Sequence, residues 1–588
     1  MLIINKASAG SGKTYNLVYE FIKMLLGYKP NDSKQSEYKL KTKLNNEHSK
    51  ILAITFTNKA TEEMKQRIVK ELGYMAHKSE KSDHLKGIAE AFGVSEDKVC
   101  EAAAIAHTQI LIDYANFNVS TIDSFFQTVL RTFAFDVDLP SDFTIELSDE
   151  FAIAVGIGDL KRNMRTSNKN DYLSEWIREY VTNTVNSGKS WDVLKDTSGE
   201  KTKIKSKKTL SDFAKYLTNE KVKKHLGKLR EWITESDGAN LKALNECLDD
   251  ISESLSKEIR AFGDYCYKNY DKLNLNGTKK RTAVNLQGFK ASKKVEKEFI
   301  EMYEESDSWR KKATTEKAAT EFSVWLEKVR TALKRKAAVE AISENIYRLG
   351  LLYHIDNNIK NYNNENNTIL LSNTNDILKD VIGGDNAPYV YARLGTFICN
   401  YLIDEFQDTS RMQWENLEPL LQDSLSAGHD NLIIGDIKQS IYRFRNSDPH
   451  LLGNEVENSF GIYKKGDCQS KNVNWRSYKD IVEFNNDVFE YLAKELGLYD
   501  EFYSNIHQEV STKHKETPGY VRYELLEEEN VEKFKEQATA KTIETIYDML
   551  NRGDEQRDIA ILVNTNTEGE QIIKALLQEE GINVVSEE

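Results

Sequence analysis

The stretch that decides the fold is Ala7-Ser8-Ala9-Gly10-Ser11-Gly12-Lys13-Thr14, which follows the apolar run Leu2–Ile4 and opens a helical pattern. Gly10 and Gly12 let the backbone curl so that its N–H groups face phosphate oxygens, and the positive end of the next helix adds to the attraction. Lys13 would reach the β- and γ-phosphates of a nucleotide, and the Thr14 hydroxyl would ligate Mg²⁺. Ala7 replaces the first glycine of the general pattern, so a glycine-rich turn is the alternative. The strand-loop-helix context favours a phosphate-binding loop.

Three further apolar runs are typical of buried parallel strands, and they are Ile51–Phe56, Phe397–Ile403 and Leu432–Ile434. Each run ends in a polar loop and is followed by a helical pattern. Strand, loop and helix in repetition predict an α/β domain whose site lies at the carboxyl ends of the strands.

An acidic pair, Asp404-Glu405, closes one of these predicted strands. A phosphate-binding loop works with a second carboxylate that holds Mg²⁺ through water and with a base that orients the attacking water. Asp404 fits the first role and Glu405 the second. A solvated strand end without a function is the alternative.

The middle of the chain differs in composition from both ends. Residues 149–369 are lysine-rich, helical in period and poor in strand signals, which predicts a helical insertion between the two parts of the α/β domain, 1–148 and 370–455. Within the insertion, the asparagine-rich segment Asn357–Asn367 is predicted to form a surface loop.

The last segment, 456–588, begins another unit. Asp558–Val563 indicates a strand, Glu568–Glu580 a helix, and Gly581–Val585 the turn into another strand. These patterns predict a second α/β unit that is still incomplete at residue 588.

Composition bounds the class of protein. The chain has 588 residues, of which 39% are hydrophobic and 30% charged, and this suits a globular protein of several domains. The net charge of −14 means that any contact with nucleic acid must depend on local patches. Five scattered cysteines without a C-x-x-C pair indicate a reduced, cytoplasmic protein. The sequence has no apolar run of about 18 residues, so we expect no membrane span.

Six motifs occur in a fixed order along the chain. After the phosphate-binding loop come Ala53–Ala60 (AITFTNKA), Ser120–Phe125 (STIDSF), Ile403–Ser410 (IDEFQDTS), Gly435–Arg445 (GDIKQSIYRFR) and Asn474–Ser477 (NWRS). This series resembles the UvrD/Rep helicases of superfamily 1, and within them the RecB/AddA branch. The resemblance covers about the first 150 residues and nearly all of 370–588.

The resemblance implies an ATP-dependent DNA helicase or translocase, moving 3′ to 5′, that acts in DNA double-strand break repair and recombination. The implied fold class is α/β, with a P-loop RecA-like parallel sheet domain, a large helical insertion and an incomplete second RecA-like domain. The implied cofactors are ATP and Mg²⁺. The implied partners are single-stranded and duplex DNA and a nuclease or helicase partner subunit, with no membrane.

The resemblance also implies roles for single residues. Gln439 would sense the γ-phosphate, Arg476 would contact it through its guanidinium fork, and Trp475 would stack on adenine. Together with Lys13, Asp404 and Glu405 they form the predicted ATP site. The implied DNA contacts are Thr55, Phe56, Thr57, Asn58, Thr121, Phe125, Tyr442 and Phe444. Stacking on bases suits a translocating motor, and core packing is the alternative, which stays open for Phe125 and Tyr442.

Three features depart from the family pattern. No glutamine precedes Ala7 to read adenine, and Asp123 stands where many relatives have histidine. The chain ends before motifs V and VI, which bring a second arginine. Residues 1–588 are therefore expected to bind ATP, to bind DNA weakly, to hydrolyse slowly and not to unwind duplex.

Basic clusters at 200–230 and 279–294 suit either a DNA-contacting arm or a solvated helical surface. Two other classes of protein are open. A DNA-binding or assembly protein with an idle motor is opposed by the intact Lys13, Asp404, Glu405, Gln439 and Arg476. An ABC-like ATPase would need a signature loop before the acidic strand, and the sequence has none.

Overall fold

The computed structural model divides into two compact units, Met1–Asn472 and Val473–Glu588. The described residues are 1–30, 38–137, 139–140, 142–146, 148–166, 174, 176–179, 181–182, 210–234, 239–274, 315–382, 387–395, 397–460, 463–465, 472–579 and 581–586. Within these ranges, no helix is both long enough and apolar enough to cross a membrane.

The first unit is built on a six-stranded parallel sheet. The strands among the described residues are β1 (Leu2–Lys6), β2 (Gly27–Tyr28), β3 (Lys39–Leu40), β4 (Ile51–Thr55), β5 (Val119–Thr121), β6 (Thr144–Glu146), β7 (Thr368–Leu370), β8 (Asn400–Ile403), β9 (Asn431–Gly435), β10 (Tyr463–Lys465), β11 (Val473–Asn474) and β12 (Glu509–Val510). Six of them pair in parallel in the order β10-β1-β9-β8-β4-β5. The four predicted strands are confirmed as β1, β4, β8 and β9. Strand β8 begins at Asn400 rather than at Phe397, whose side chain is exposed.

Alternate residues of each central strand enter different hydrophobic cores, because successive side chains of a strand point to opposite faces. In β4, Leu52 and Ile54 pack into one core, whereas Ile51 and Ala53 pack into the other. Both faces of the sheet are therefore buried, which explains why these strands are continuous apolar runs.

Helices cover both faces. The helices are α1 (Lys13–Leu26), α2 (Asn58–Ala76), α3 (Leu85–Phe92), α4 (Glu96–Ile112), α5 (Ile122–Thr132), α6 (Asp149–Thr166), α7 (Leu210–Ala214), α8 (Glu220–Thr234), α9 (Ala239–Lys268), α10 (Glu316–Asn366), α11 (Leu371–Ile382), α12 (Ala387–Leu394), α13 (Arg411–Ser426), α14 (Val456–Ser459), α15 (Lys479–Glu495), α16 (Val531–Arg552) and α17 (Asn566–Leu576). Helices α1 to α4 pack on one face of the sheet, and α5, α11, α12 and α13 pack on the other. The predicted α/β class with its parallel sheet is confirmed.

Asp430, just before β9, anchors the amino-terminal edge of the sheet. Its side chain lies 3.0 Å from the Met1 ammonium and 2.5 Å from Lys29 Nζ, and it accepts a hydrogen bond from the Tyr38 hydroxyl at 2.6 Å. Burial raises the pKa of Asp430, but the hydrogen bonds from Lys29 and Tyr38 outweigh burial and hold the pKa below its usual value. The charged carboxylate therefore stabilises this edge.

The insertion is helical, as predicted, and has a hydrophobic core of its own. Leu160 of α6, Phe262 of α9 and Ile355 of α10 belong to this core. The insertion is joined to the sheet domain where β6 pairs in parallel with β7, which places Glu146 beside Leu370. The insertion is a distinct structural element, because it has its own core and because its two ends meet at the paired strands β6 and β7, which we call its root.

The predicted loop Asn357–Asn367 is wrong, because 51 residues of α10 run without a break through this segment. Ile359 is buried in the insertion core, and a Cβ on Gly156 of α6 would lie 2.7 Å from it, so the two helices pack closely. Asn358 donates a hydrogen bond to the Gly156 carbonyl at 3.1 Å. Packing along one face therefore overrides the weak helix propensity of asparagine. Asn367, with a φ of 51°, ends the helix.

The described residues include only part of the first basic cluster. Residues 200–209 and the whole cluster 279–294 lie outside the described residues. In the described part of the first cluster, Lys215 pairs with Glu150 at 2.8 Å, and both side chains are exposed. An exposed ion pair of this kind contributes little to stability.

In the second unit, β11 pairs in parallel with β12 and α15 packs close to β12. The predicted helix Glu568–Glu580 is confirmed in α17, which covers Asn566–Leu576. The predicted strands at Asp558–Val563 and Gly581–Val585 are wrong, because neither segment pairs with another strand among the described residues. Leu562 and Val585 are each 95% exposed, and Ile561 and Val563 are exposed as well. Ile559, Ile582 and Val584 are half-buried.

Candidate functional site

The carboxyl edge of the central sheet gathers the loops that carry the motifs. The phosphate-binding loop follows β1, and its neighbour β9 leads into the loop from Asp436. Next in the sheet, β8 leads into Asp404 and Glu405, and β4 leads into Phe56. Parallel strands bring these loops to one edge, where ligands of open α/β sheets bind.

The phosphate-binding loop has the backbone geometry that its glycines predict. Gly10 and Gly12 have φ angles of 72° and 83°, in the left-handed region that glycine tolerates best. The Ser11 hydroxyl donates to the Ser8 carbonyl at 2.7 Å and closes the turn. Helix α1 then starts at Lys13, so its unpaired N–H groups point toward the loop. This arrangement is suited to holding phosphate oxygens.

An ion pair joins the phosphate-binding loop to the acidic pair. Lys13 Nζ lies 2.7 Å from Glu405 Oε2, and Gln407 Nε2 donates to the same oxygen at 2.8 Å. Glu405 itself has a φ of 48°, a left-handed backbone that costs a non-glycine residue about 1–2 kcal/mol. The structure thus brings Lys13 and Glu405 together, as the sequence predicted, and holds Glu405 in a strained position.

Acidic groups are crowded beside this pair. Burial and the charge of Glu405 raise the pKa of Asp404 to about 6, and Lys13 opposes the rise. The same two causes, in the same order, raise the pKa of Asp408 to about 7. Crowded carboxylates with raised pKa values are typical of functional sites.

The donor chemistry at this edge fits Mg²⁺. No group of three or more His, Cys, Asp or Glu side chains forms a metal cage in the described part of the chain. Mg²⁺, however, is usually bound through one or two carboxylates together with water and substrate phosphates. Asp404 and the Thr14 hydroxyl would supply oxygen ligands of this kind, and this role stays a prediction.

Gln407 is a site residue that the sequence reasoning missed. It is 1% exposed, and its Oε1 accepts a hydrogen bond from the Asp436 backbone N–H at 2.8 Å, while its Nε2 holds Glu405. The Ser440 hydroxyl donates to the Gln407 carbonyl at 3.2 Å. Gln407 therefore fastens the loop after β8 to the loop after β9.

Gln439 lies on the same loop after β9. Its Nε2 donates to Asp436 Oδ2 at 2.8 Å, and Lys438 Nζ lies 2.8 Å from the other oxygen of that carboxylate. Asp436, 4% exposed, thus fixes both neighbours. A γ-phosphate role for Gln439 stays a prediction.

An aromatic cluster lies at the same edge, where β4 and β9 end. The rings of Phe56 and Tyr442 are 4.6 Å apart, and those of Tyr442 and Phe444 are 5.8 Å apart. Phe444 is 77% exposed, whereas Phe56 and Tyr442 are half-buried. Arg445 lies over both Tyr442 and Phe444, at 5.5 and 5.8 Å from the ring centroids. An exposed ring such as Phe444 can stack on a base, with the half-buried rings supporting it.

Three of the predicted DNA contacts have buried side chains. Thr55 shares a hydrogen bond of 2.7 Å with the Thr61 hydroxyl, and Thr121 accepts one from the Ser124 backbone N–H at 3.2 Å. Phe125 is 7% exposed and belongs to the hydrophobic core. Burial favours the packing interpretation for Phe125 that the sequence left open.

Two other predicted DNA contacts, Thr57 and Asn58, are exposed. Thr57 is the N-cap of α2, where its hydroxyl accepts a hydrogen bond from the Ala60 N–H at 3.2 Å. Asn58 is the first residue of that helix. Both residues are therefore available to a ligand at this edge.

Trp475 and Arg476 belong to the second unit. The Asn474 side chain accepts hydrogen bonds from the Arg476 and Ser477 N–H groups, each at 2.9 Å, and so shapes the turn that follows β11. Both Trp475 and Arg476 are exposed on this turn. Their roles toward adenine and the γ-phosphate stay predictions.

Comparison with known proteins agrees with this geometry. Residues 2–461 match the family model described as the UvrD/REP helicase N-terminal domain. A curated relative from Streptococcus pneumoniae (strain ATCC 700669 / Spain 23F-1), named as the A subunit of an ATP-dependent helicase/nuclease, is 31% identical over 213 residues. That match covers 34% of this chain and 17% of the relative.

Two further relatives show the same level of similarity. A protein of S. pneumoniae serotype 4 named Exonuclease/helicase subunit RexA is 31% identical over the same share of each chain. The A subunit of the ATP-dependent helicase/nuclease from Streptococcus pyogenes serotype M2 is 31% identical over 32% of this chain and 16% of the relative. This chain therefore matches less than a fifth of the length of these curated relatives.

The parallel sheet, the phosphate-binding loop and the strand-terminal acidic pair define a P-loop nucleotide-binding protein with a large helical insertion. The chain belongs to the UvrD/REP helicase N-terminal domain family, because that family model matches most of its length. The family resemblance inferred from the six motifs is thereby confirmed.

Proposed function

We propose that this chain is the ATP-binding motor portion of a DNA helicase or translocase of the AddA type. The observation that supports this most is the shared edge of the sheet. The Lys13–Glu405 pair lies at this edge together with the cluster of Phe56, Tyr442 and Phe444. A nucleotide site beside a base-stacking surface is the arrangement that a nucleic-acid motor needs.

The ion pair between Lys13 and Glu405 indicates how nucleotide binding would begin. Lys13 is held by Glu405 at 2.7 Å, so an incoming γ-phosphate competes with Glu405 for the ammonium. Once Lys13 binds the phosphate, the Glu405 carboxylate would be free to orient the attacking water. The hydrogen bond from Gln407 would hold the Glu405 side chain in position. Mg²⁺ held by Thr14 and Asp404 would neutralise charge on the phosphate oxygens.

Gln407 also supports coupling between the two surfaces. It links Glu405 to the backbone of Asp436, and the loop from Asp436 carries Tyr442 and Phe444. A movement of Glu405 on nucleotide binding would therefore shift the loop that carries the aromatic cluster. We infer that nucleotide state and base stacking are coupled through this loop.

The wider role is inferred from the relatives. Their names describe subunits of enzymes that combine helicase and nuclease, which supports a partner subunit for this chain as well. We infer a cytoplasmic role in DNA double-strand break repair and recombination. Movement from 3′ to 5′ is the polarity we propose. Unwinding by the parent protein of substrates with a 3′ tail, but not of those with a 5′ tail, would agree with it.

The nucleotide site is tested by calorimetric titration with Mg·ATP. Lys13→Ala should weaken binding about 10- to 100-fold, since a charge-assisted hydrogen bond is worth about 1.5–3 kcal/mol. Glu405→Gln should retain binding, because it removes the carboxylate that competes for Lys13, and should lower any turnover about 10²–10⁴-fold. Lys23→Ala is a matched control on the same helix, where Lys23 pairs with Glu20. Equal affinity in Lys13→Ala and Lys23→Ala would contradict the proposed site.

A further inference from the structure

Lys6, the last residue of β1, links the phosphate-binding loop to a part of the chain that is far away in sequence. Its Nζ donates a hydrogen bond to the Gly453 carbonyl at 2.7 Å and lies 2.8 Å from a carboxylate oxygen of Glu457 in α14. The Glu457 side chain is 13% exposed, so water screens this ion pair less than it screens a surface pair. The phosphate-binding loop begins at the next residue, Ala7. A shift of that loop would therefore act on Gly453 and Glu457 through Lys6.

The segment that Lys6 contacts, residues 448–457, directly follows the loop that carries Tyr442 and Phe444 of the aromatic cluster, and we call it the clasped segment. Its Leu452 side chain is fully buried, and a Cβ on Gly435 would lie 2.8 Å from it, so the segment packs against the end of β9. Within the segment, Leu451–Glu455 form a single π-helical turn, a rare geometry that is frequent at functional sites. Because the segment is well packed and continuous with the loop before it, a shift of the segment would displace that loop.

A second cation holds the clasped segment from the side of the acidic pair. Arg411, the first residue of α13, donates hydrogen bonds to both carboxylate oxygens of Glu455, at 2.7 and 2.8 Å, and to Asp448 at 2.9 Å. The Asp448 N–H also donates to the Thr409 carbonyl at 3.1 Å. A bidentate contact between a guanidinium and a carboxylate fixes orientation as well as distance. The clasped segment is therefore attached to both halves of the proposed nucleotide site, to the phosphate-binding loop through Lys6 and to the chain after the acidic pair through Arg411.

We propose that Lys6 is a positioning residue that couples the phosphate-binding loop to the aromatic cluster through the clasped segment. The inference rests on the proposed function, in which a γ-phosphate competes with Glu405 for Lys13. The 2.7 Å ion pair between these two residues joins the phosphate-binding loop to the acidic pair, so its loss lets the two halves of the site shift relative to each other. The clasped segment is held from both sides and follows that shift, and the aromatic cluster moves with it. Lys6 belongs to neither binding surface, so its removal acts on the coupling between the two ligands.

The experiment measures the affinity of the whole chain for a fluorescent oligothymidylate by anisotropy, with and without a saturating non-hydrolysable ATP analogue and Mg²⁺. In the unmodified chain the analogue should change this affinity by about 5-fold or more, as is usual for two coupled sites. Lys6→Met keeps most of the apolar stem and removes the charge. It should leave the affinity for oligothymidylate alone unchanged and reduce the effect of the analogue to less than about 2-fold. The affinity for the analogue should lose its dependence on oligothymidylate to the same extent, because coupling between two sites is reciprocal.

Two further variants separate a positioning role from a general loss of stability. Lys6→Arg should retain the coupling, because a guanidinium can bind Glu457 and the same backbone carbonyl. Lys41→Met is the matched control, since Lys41 also pairs with a glutamate, Glu47, at 3.0 Å and donates to a backbone carbonyl, that of Met24, at 3.0 Å. Met24 lies near the far end of α1, a helix of 14 residues and thus about 21 Å long, which begins at the phosphate-binding loop. The coupling should be unchanged in Lys41→Met.

The two ideas fail in different ways. If the unmodified chain binds no oligothymidylate, the proposed nucleic-acid function fails and this inference with it. If binding depends on Phe444 but the unmodified chain shows no coupling, or Lys6→Met retains it, or Lys41→Met loses it equally, only the role of Lys6 is overturned. Thermal unfolding shows whether each variant is folded. Glu457→Gln breaks the same ion pair while Lys6 keeps its hydrogen bond to the Gly453 carbonyl, and it should also reduce the coupling, so the inference is tested even if Lys6→Met does not fold.

Discussion

Replacing Asp404 by asparagine should stabilise this protein while destroying its activity. Asp404 lies among acidic groups, and burial and Glu405 raise its pKa from the usual 3.8 to about 6. A difference of about two in pKa corresponds to about 3 kcal/mol between the folded and unfolded chains. Asparagine keeps the oxygen that accepts the Glu405 N–H at 3.0 Å, so the loop should retain its shape.

The pH dependence has a definite sign. Because the pKa of Asp404 is higher in the folded protein, the protonated carboxyl favours folding below about pH 4. That advantage is lost as pH rises through about 6, where the folded protein must accept the charge. Asp404→Asn should therefore exceed the unmodified protein in stability by about 3 kcal/mol at pH 8 and by less than about 1 kcal/mol at pH 4.

The assay is chemical unfolding of the first unit in the absence of nucleotide, followed by intrinsic fluorescence at both pH values. Any Mg·ATP turnover of the whole chain should fall in the variant, because an asparagine amide is a weaker Mg²⁺ ligand than a carboxylate. The reasoning is refuted if Asp404→Asn is no more stable than the unmodified protein at pH 8. It is also refuted if its gain in stability is the same at pH 4.

Three other predictions follow from separate features. Phe444→Ala should weaken oligothymidylate binding by about 1–3 kcal/mol in an anisotropy titration. Phe135→Ala, at another exposed phenylalanine, should not. Asp430→Asn should lower the free energy of unfolding by about 1–3 kcal/mol at pH 7. This loss should shrink as pH falls below about 4, because the unfolded chain then binds a proton while the folded carboxylate, with its lower pKa, is still charged. Gly435→Ala should destabilise by about 1–3 kcal/mol in chemical unfolding, since its Cβ would meet other atoms at 2.7 and 2.8 Å, whereas Gly158→Ala, with open space in α6, should stabilise by about 0.5–1 kcal/mol.

Features that depend on local sequence were predictable. The glycines before Lys13 determine the loop and the start of α1, and the apolar run before Asp404 determines the strand that carries it. The meeting of Lys13 and Glu405 followed from placing both at one edge of a parallel sheet. These inferences need only spacing and the direction of strands.

Features that depend on distant contacts were not predictable. Gln407 joins two loops because its side chain accepts a hydrogen bond from the Asp436 N–H. No motif spacing in the sequence predicts that contact. The asparagines near the end of α10 predict a loop from their composition, but packing against α6 keeps them helical. Conversely, Ile559–Val563 has the composition of a strand, but a strand needs a neighbour to pair with. The structure provides none among its described residues.

The pairing of β6 with β7 has a practical consequence for engineering. The helical insertion leaves and rejoins the sheet domain at adjacent backbone positions, Glu146 and Leu370, and it has its own hydrophobic core. Domain insertion is tolerated where the two ends of the inserted segment lie close together at the surface. A short glycine linker across this root should give a minimal nucleotide-binding domain. The same root would accept an insertion from another family member, so each element could be studied as an interchangeable module.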